Sequence, residues 1–400
     1  MKKISPILAL VVLALTSPLQ AQNIEAGPGF AIKSNSGDFS LRFRTLVNVD
    51  SRTFLTDTDK NASAYLVRSA RPSLEGVAYK IVQFRLVPDF GNGATVLQDA
   101  YIETQFSPQF KLRTGKFKVS VGLERLQARS DVRFAERGFP TSFLPNRDSG
   151  IQVSGETDTL QYAVGIFNGQ SDNVTTDGDT GAGKDLAFRL FITPFKNGIT
   201  PDLEGLGFGF GYDTGDQTGG TSSSYKSLGQ RTMFSYTGGV TTGTRYHFSP
   251  QISYYNGPFG FFGEWAQSSQ VLQLGGTSNR ITHNAWQLHG EWILTGENAS
   301  FKALKIKTPY DPTKGTWGAL ELVGRINQAN FDSAAFDSGF ASASTSVKRA
   351  TAVGVGLNWY LNPALHYSIA YEHTVFEGGS TGSSNRNDEK LLTLSTHLSL

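Results

Sequence analysis

Leu206-Gly-Phe-Gly-Phe-Gly-Tyr212 places a large apolar side chain on every second residue and glycine between. A strand shows successive side chains to opposite faces, so this stretch has one greasy face and one nearly bare face. Leu186, Phe188, Leu190 and Ile192 repeat the pattern, with Ala187, Arg189, Phe191 and Thr193 between them. Sixteen such runs are legible from 39–50 to 389–400, with almost no helix-like stretch between them. In a closed barrel the greasy faces turn to lipid and the polar faces surround water. The content of 44 glycines, 28 phenylalanines and 14 tyrosines fits an all-β chain with tight turns.

Residues 1–21 read as a secretory signal: Lys2 and Lys3, an apolar stretch from Ile7 to Leu15, and Ala21 as a small residue for cleavage. That stretch is too short to span a bilayer as a helix, and no run of about 18 apolar residues follows it. Residues 22–38 are expected to be an exposed lead-in and 39–400 the barrel. The chain has no cysteine, which excludes disulfides, thiolate metal sites and thiol nucleophiles. Without residues 1–21, 34 basic residues face 34 acidic ones, so any charge preference must come from where the charges sit.

The connectors alternate in length. Short ones fall at Ser107-Pro-Gln109, Thr157-Asp-Thr159, Asn256-Gly-Pro258 and Asn362-Pro363; long polar ones fall at 119–148, 169–183, 214–242, 331–346 and 377–388. Short turns on one side, long loops on the other and an even strand count are the outer-membrane pattern. The connector 296–316 is long on the short-turn side. Pro72 and Pro250 interrupt strands, where bulges are expected. Tyr254, Tyr255, Phe259, Phe261, Trp265, Trp359, Tyr360 and Tyr371 are candidates for interfacial aromatic girdles.

The stretch 111–147 breaks the neutrality, with nine basic residues against Glu124, Asp131 and Glu136. Arg125, Arg129, Arg133 and Arg137 recur at every fourth position, which on a short helix puts neighbours on one side. This connector is too long for a simple link. It is expected to fold inward, narrow the lumen and offer a basic ladder to anions, with Arg129 and Arg133 carrying anion preference. The alternative is a solvated helix whose arginines pair with those acids or bind lipopolysaccharide phosphates. By parity Arg42, Arg44, Arg85 and Arg189 face the lumen, and Arg113 of the basic stretch is a further pore-lining candidate. Arg68 and Arg71 have opposite parity, so one needs a bulge to join them. An arginine on the lipid face costs a few kcal/mol, and arginine rings select anions in pores. Asp99, Glu103, Glu264 and Glu321 also face inward, giving a lumen of mixed sign.

Local stretches resemble one family across the mature chain: Arg68-Ser-Ala-Arg-Pro-Ser-Leu-Glu-Gly76, Gln98-Asp-Ala-Tyr-Ile102, Gly115-Lys-Phe-Lys118 leading to Gly122-Leu-Glu124, and Phe134-Ala-Glu-Arg137. Asn256-Gly-Pro-Phe-Gly260, Ile293-Leu-Thr-Gly-Glu297, Gly318-Ala-Leu-Glu-Leu322 and Asn358-Trp-Tyr-Leu-Asn-Pro363 continue the series. Together they resemble the phosphate-selective porins of the porin O and P type. The resemblance implies a homotrimer of 16-stranded antiparallel transmembrane β-barrels in a Gram-negative outer membrane, with the third long loop folded inward. It implies passage of small anions such as phosphate or polyphosphate, contact with lipid and lipopolysaccharide, no cofactor and no nucleic acid. Where the family carries two adjacent arginines, this chain has Arg68-Ser69.

A general-diffusion pore for small polar solutes and a barrel-embedded hydrolase are the competing readings. The six histidines (His247, His283, His289, His366, His373, His397) lack HExxH spacing, and His289 with Glu291 lacks a serine nucleophile signature.

Overall fold

A computed structural model describes residues 23–27, 29–55, 63–175, 183–198, 200–220, 223–381 and 384–400; the expected signal at 1–21 lies outside them. Sixteen antiparallel strands form the wall. They are β1 (Phe39–Phe54), β2 (Ala64–Ala78), β3 (Val82–Asp89), β4 (Val96–Ser107), β5 (Phe110–Lys118) and β6 (Arg147–Glu156). Then come β7 (Leu160–Phe167), β8 (Asp185–Ile192), β9 (Gly207–Gly220), β10 (Val240–Asn256) and β11 (Phe259–Leu274). β12 (Thr277–Ile293), β13 (Ala319–Asn330), β14 (Val347–Tyr360), β15 (Leu365–Gly378) and β16 (Glu389–Ser399) complete the series. Each pairs with the next, and β16 returns to β1 from Leu391↔Phe54 to Ser399↔Leu46, so no edge is left open. Within the lead-in, Gly29–Lys33 pairs with the lower part of β1, Phe30 to Phe43 and Lys33 to Ser40, continuing the line of β16.

The alternation sorts the faces. On β14, Val353 and Val355 are 54% and 51% exposed, whereas Ala350 and Ala352 are fully buried. An arginine at Val355 would sit on the lipid face, so Val355→Arg is expected to destabilise the barrel by about 2–4 kcal/mol. Urea refolding into vesicles measures this; an unchanged midpoint would mean that the outward face does not meet lipid.

The bulge needed near Arg68 is present. Pairing of β1 with β2 jumps from Asn48↔Ser69 to Val49↔Val67, which skips Arg68 and lets it share the inner side with Arg71. No bulge forms at the prolines. Pro72 stays opposite Thr45, where pairing of β2 with β3 has already ended at Leu74↔Leu86, so its missing N–H costs no bond in that ladder. Pro250 keeps register with Phe210.

One connector is shorter than expected, and another is a tight hairpin. β9 and β10 run beyond their predicted ends, which shortens the loop expected at 214–242. β11 and β12 meet in a two-residue turn at Gly275 and Gly276, with φ +54° and +87°, the left-handed values that such a hairpin needs. The girdle assignment is also corrected at two positions. Tyr254 and Trp359 face outward, but their neighbours have the opposite parity. Tyr360 is buried and donates to Glu321 at 2.7 Å, and Tyr255 packs against Phe301 inside. Outside, Phe259 stacks on Trp292 and Trp359 contacts Trp317 and Tyr367 near the short-turn end.

The glycine face of the opening stretch has a specific use. A Cβ on Gly211 would lie 2.1 Å from the Val121 carbonyl oxygen, and one on Gly209 would lie 2.4 Å from the Phe191 ring. The inner surface of β9 is bare because the long connector between β5 and β6 lies against Gly211 and the Phe191 ring of β8 covers Gly207 and Gly209.

Candidate functional site: a basic channel beside the inward loop

The connector 119–146 crosses the lumen and docks on the inner face of β10–β14. Its backbone N–H groups at Leu123 and Glu124 donate to the Glu264 carboxylate at 2.6 and 3.2 Å, and Gln251 Nε2 donates to the Val121 carbonyl at 2.5 Å. Gly138 N and Gln287 Nε2 both donate to Glu124 Oε2 at 2.9 Å. Arg325, held by Glu372, donates to the Glu136 carbonyl at 2.8 Å. From below, the connector after β12 rises to meet the loop. Its Ser300 and Phe301 carbonyls accept from Arg133 Nη2 at 2.7 Å and Gln127 Nε2 at 2.8 Å. Ala299 and Leu304 anchor it in an apolar cluster with Ile293, Ala319 and Tyr360. At the long-loop end, Phe143 stacks on Tyr225 at 4.7 Å and Phe234 on Phe331 at 4.3 Å, filling the lumen over the same half.

The inward fold expected of this loop is therefore present, but its arginines do not make a helical ladder. The loop contains only the 3₁₀ turns Glu124–Leu126, Arg129–Asp131 and Phe139–Phe143. Each guanidinium finds its own buried acceptors, and the four fan apart. Arg125 donates to the Thr141 carbonyl and to Asn173 Oδ1, the latter at 2.7 Å. Arg129 donates to the Ala135 carbonyl while lining the open lumen. Arg133 inserts between Glu291 and Glu321 at 3.1 and 2.8 Å, with only 3% of its side chain exposed. Arg137 donates to the carbonyls of Glu124 and Gln127 at 3.2 and 2.8 Å. Burial, and then Arg68 nearby, pull Arg129 down to about 10, still cationic at neutral pH. Burial followed by Arg147 does the same to Arg125.

Glu136 ties the far end of the loop to the opposite wall. It accepts from Arg52 at 2.6 Å and from Arg68 Nη2 at 2.8 Å. Burial alone raises a carboxyl, but Arg68 and Arg52 against it outweigh burial and hold Glu136 well below the usual carboxylate range.

A cavity of about 680 Å³ stays open along β1–β5, bounded by the loop, by Lys302–Ile306 and by the lower ends of β14–β16. Arg44, Arg71, Arg85 and Arg113 project into it from the wall. Arg71 pairs with Asp89 at 2.7 Å, and Arg113 pairs with Glu103 while its guanidinium lies 4.4 Å over the Tyr101 ring. Arg44 and Arg85 are the least engaged: Arg44 is 3.9 Å from Glu75, and Arg85 is 3.5 Å from Glu75 and 3.8 Å from Asp99. Arg42 lines the continuation of this space toward the short-turn mouth, with Lys33 of the lead-in. Arg189 lies away from the cavity, donating to Gln251 at 3.2 Å beside the Phe191 ring.

Lys118, Arg147 and Lys302 also reach the cavity, so with Arg129 its lining holds eight basic side chains besides the buried, paired Arg133, against Glu75, Asp99 and Asp131. Lys118 and Arg147 lie within the basic stretch legible in sequence, but only the fold shows that they flank the opening. Lys302 carried no sequence signal, because it arrives on the connector from below. The mixed sign expected of the lumen is sorted only in part by position: Glu264 and Glu321, with Glu291 and Glu372, sit in the filled half, whereas Asp99 lines the open cavity and Glu103 pairs with Arg113 beside it. His289 is packed on Phe262 at 4.7 Å, and its Nε2 lies 3.8 Å from Glu291, itself held by Arg133.

A closed sixteen-stranded barrel with an apolar exterior, a wet interior and a loop folded across its waist defines a porin of the Gram-negative outer membrane. Residues 39–395 match the family described as phosphate-selective porin O and P, and the chain belongs to that family. Porin O of Pseudomonas aeruginosa is 24% identical over 381 residues, covering 87% of this chain and 86% of that protein. The outer membrane channel DcaP of Acinetobacter baumannii superposes with a TM-score of 0.60 at 11% identity, covering 92% of this chain and 99% of its own. The anion-selective porin from Comamonas acidovorans gives a TM-score of 0.56 at 11% identity, covering 90% of this chain and all of its own. At those identities the two structures share the fold.

Proposed function

We propose that the protein passes small anions, phosphate among them, by passive diffusion along the basic wall of β1–β5, and performs no chemistry on them. The observation that carries this reading is the lining of the open cavity, eight basic side chains besides the buried Arg133 against three acidic. Guanidinium forks replace part of an anion's hydration shell, and several sites of moderate strength permit entry and release. The names of the family and of the Comamonas relative point the same way. Arg44, Arg71, Arg85, Arg113 and Arg129 are the candidate contacts, with Arg42 at the exit. Arg68, Arg125, Arg133, Arg137 and Arg189 act on the path only through the architecture that they hold. The working unit is proposed to be a homotrimer with its outer rim in lipopolysaccharide; chemical crosslinking in detergent tests the assembly.

A general-diffusion reading rests on one specific observation. Arg68 spends its fork on Glu136, and its neighbour is Ser69. Planar-bilayer recording decides between the two. Added phosphate is expected to reduce the chloride current in a graded, saturable way. Chloride current indifferent to phosphate, with anion selectivity intact, would leave an anion pore without phosphate preference.

A further inference from the structure

We infer that His366 and His397 form a two-imidazole site for a transition-metal ion on the lumen wall, below the inward loop. The residues are direct cross-strand partners on β15 and β16 and both line the open cavity. Their rings lie 4.3 Å apart and within 6° of parallel. Among the described residues neither ring has a hydrogen-bond partner, and His397 Nδ1 is fully buried without one. The next strand continues the row. Asn48, paired with His397, is completely buried, and both its amide oxygen and its amide nitrogen lack partners. Three neighbouring strands thus present unmet nitrogen and oxygen groups at one level.

The chemistry selects the ligand. Cross-strand Cβ atoms lie about 4.5–5.5 Å apart, and the last torsion of an imidazole is broad, so both rings can turn their nitrogens to an ion about 2.0–2.1 Å away. The charged groups that bear on the pair are Arg133 and Arg129. With no carboxylate against the rings among the described residues, the site offers lone pairs instead of negative charge, which suits Cu²⁺, Ni²⁺ or Zn²⁺ and not Ca²⁺ or Mg²⁺. The two arginines oppose any cation, but they also draw anions to the spot, and these with water complete the metal's shell. The Asn48 amide oxygen is the third protein donor within the row. The site is independent of which anion the channel prefers.

Copper titration of the detergent-solubilised protein tests the assignment. Wild type is expected to take up one Cu²⁺ per chain, with an electron paramagnetic resonance spectrum showing two nitrogen donors and no competition from Ca²⁺. His366→Ala and His397→Ala are each expected to weaken binding about tenfold or more, whereas His373→Ala, on the outer face beside Asp388, leaves it unchanged. Heat-modified gel mobility reports folding of each variant. Absence of saturable Cu²⁺ uptake by wild type overturns the proposal without recourse to any variant. Undiminished uptake by a folded His366→Ala/His397→Ala double variant overturns it equally.

Discussion

Arg44→Glu combined with Arg85→Glu is expected to lower the anion-to-cation permeability ratio about tenfold or more. Both guanidiniums face the open cavity and stand at 3.5 Å or more from their acids, so their fields are the least cancelled on the wall. The double change moves the lining by four charge units. A unit charge at about 4 Å is worth about 1 kcal/mol in bulk water, and the Debye length of about 8 Å trims the more distant contributions. A net effect on the order of 2 kcal/mol on a permeating ion follows, and about 1.4 kcal/mol is already tenfold. Reversal potentials in a salt gradient read the ratio. Arg189→Gln, outside the cavity, should leave it where it was. An unaltered ratio in the folded double variant would place the selective path elsewhere in the barrel.

Arg133→Leu is expected to act on stability far more than on selectivity. Arg133 holds Glu291 and Glu321, is almost wholly buried, and donates to the Asp131, Ser300 and Lys302 carbonyls, so it joins the inward loop to the connector beneath. Removing it strands two carboxylates in a dry site, at a cost of about 3–5 kcal/mol. The urea unfolding midpoint should fall, and single-channel conductance should rise as the loop loosens. Adding Glu291→Gln and Glu321→Gln should recover most of the midpoint, because uncharged amides need no counter-ion. A midpoint insensitive to Arg133→Leu would refute the buried clamp. The outcome also separates Arg133 from Arg129, which sequence spacing treats as equivalent.

Much of the wall was legible because a period-two pattern needs only local chemistry. All sixteen strands fall where the alternation puts them, and the opposite parities of Arg68 and Arg71 were enough to demand the bulge between them. The same parity would have placed Tyr255 and Tyr360 inside, had adjacent aromatics not been grouped by composition. The four arginines were misleading for a different reason. Spacing of four describes a helix only if the backbone satisfies itself, and this loop instead satisfies its backbone with Glu264 and Gln251 from the wall and with its own Glu124 side chain. Such partners are 130 to 141 residues apart in the chain in the cases of Gln251 and Glu264, beyond any local pattern.

By itself, then, the order of residues determined a barrel with sixteen strands, an oily outside, arginines within and one basic loop too long to stay outside. Alternation settles which side of a strand a residue occupies, and the cost of charge in lipid settles which side is wet. Only the tertiary structure decided which half of the interior stays open. The loop and the connector beneath it cover Glu264, Glu291 and Glu321, leaving the guanidiniums of β1–β5 to face the remaining space. The sign of a channel depends on which inward charges remain uncovered, and covering is a long-range contact that no local period encodes.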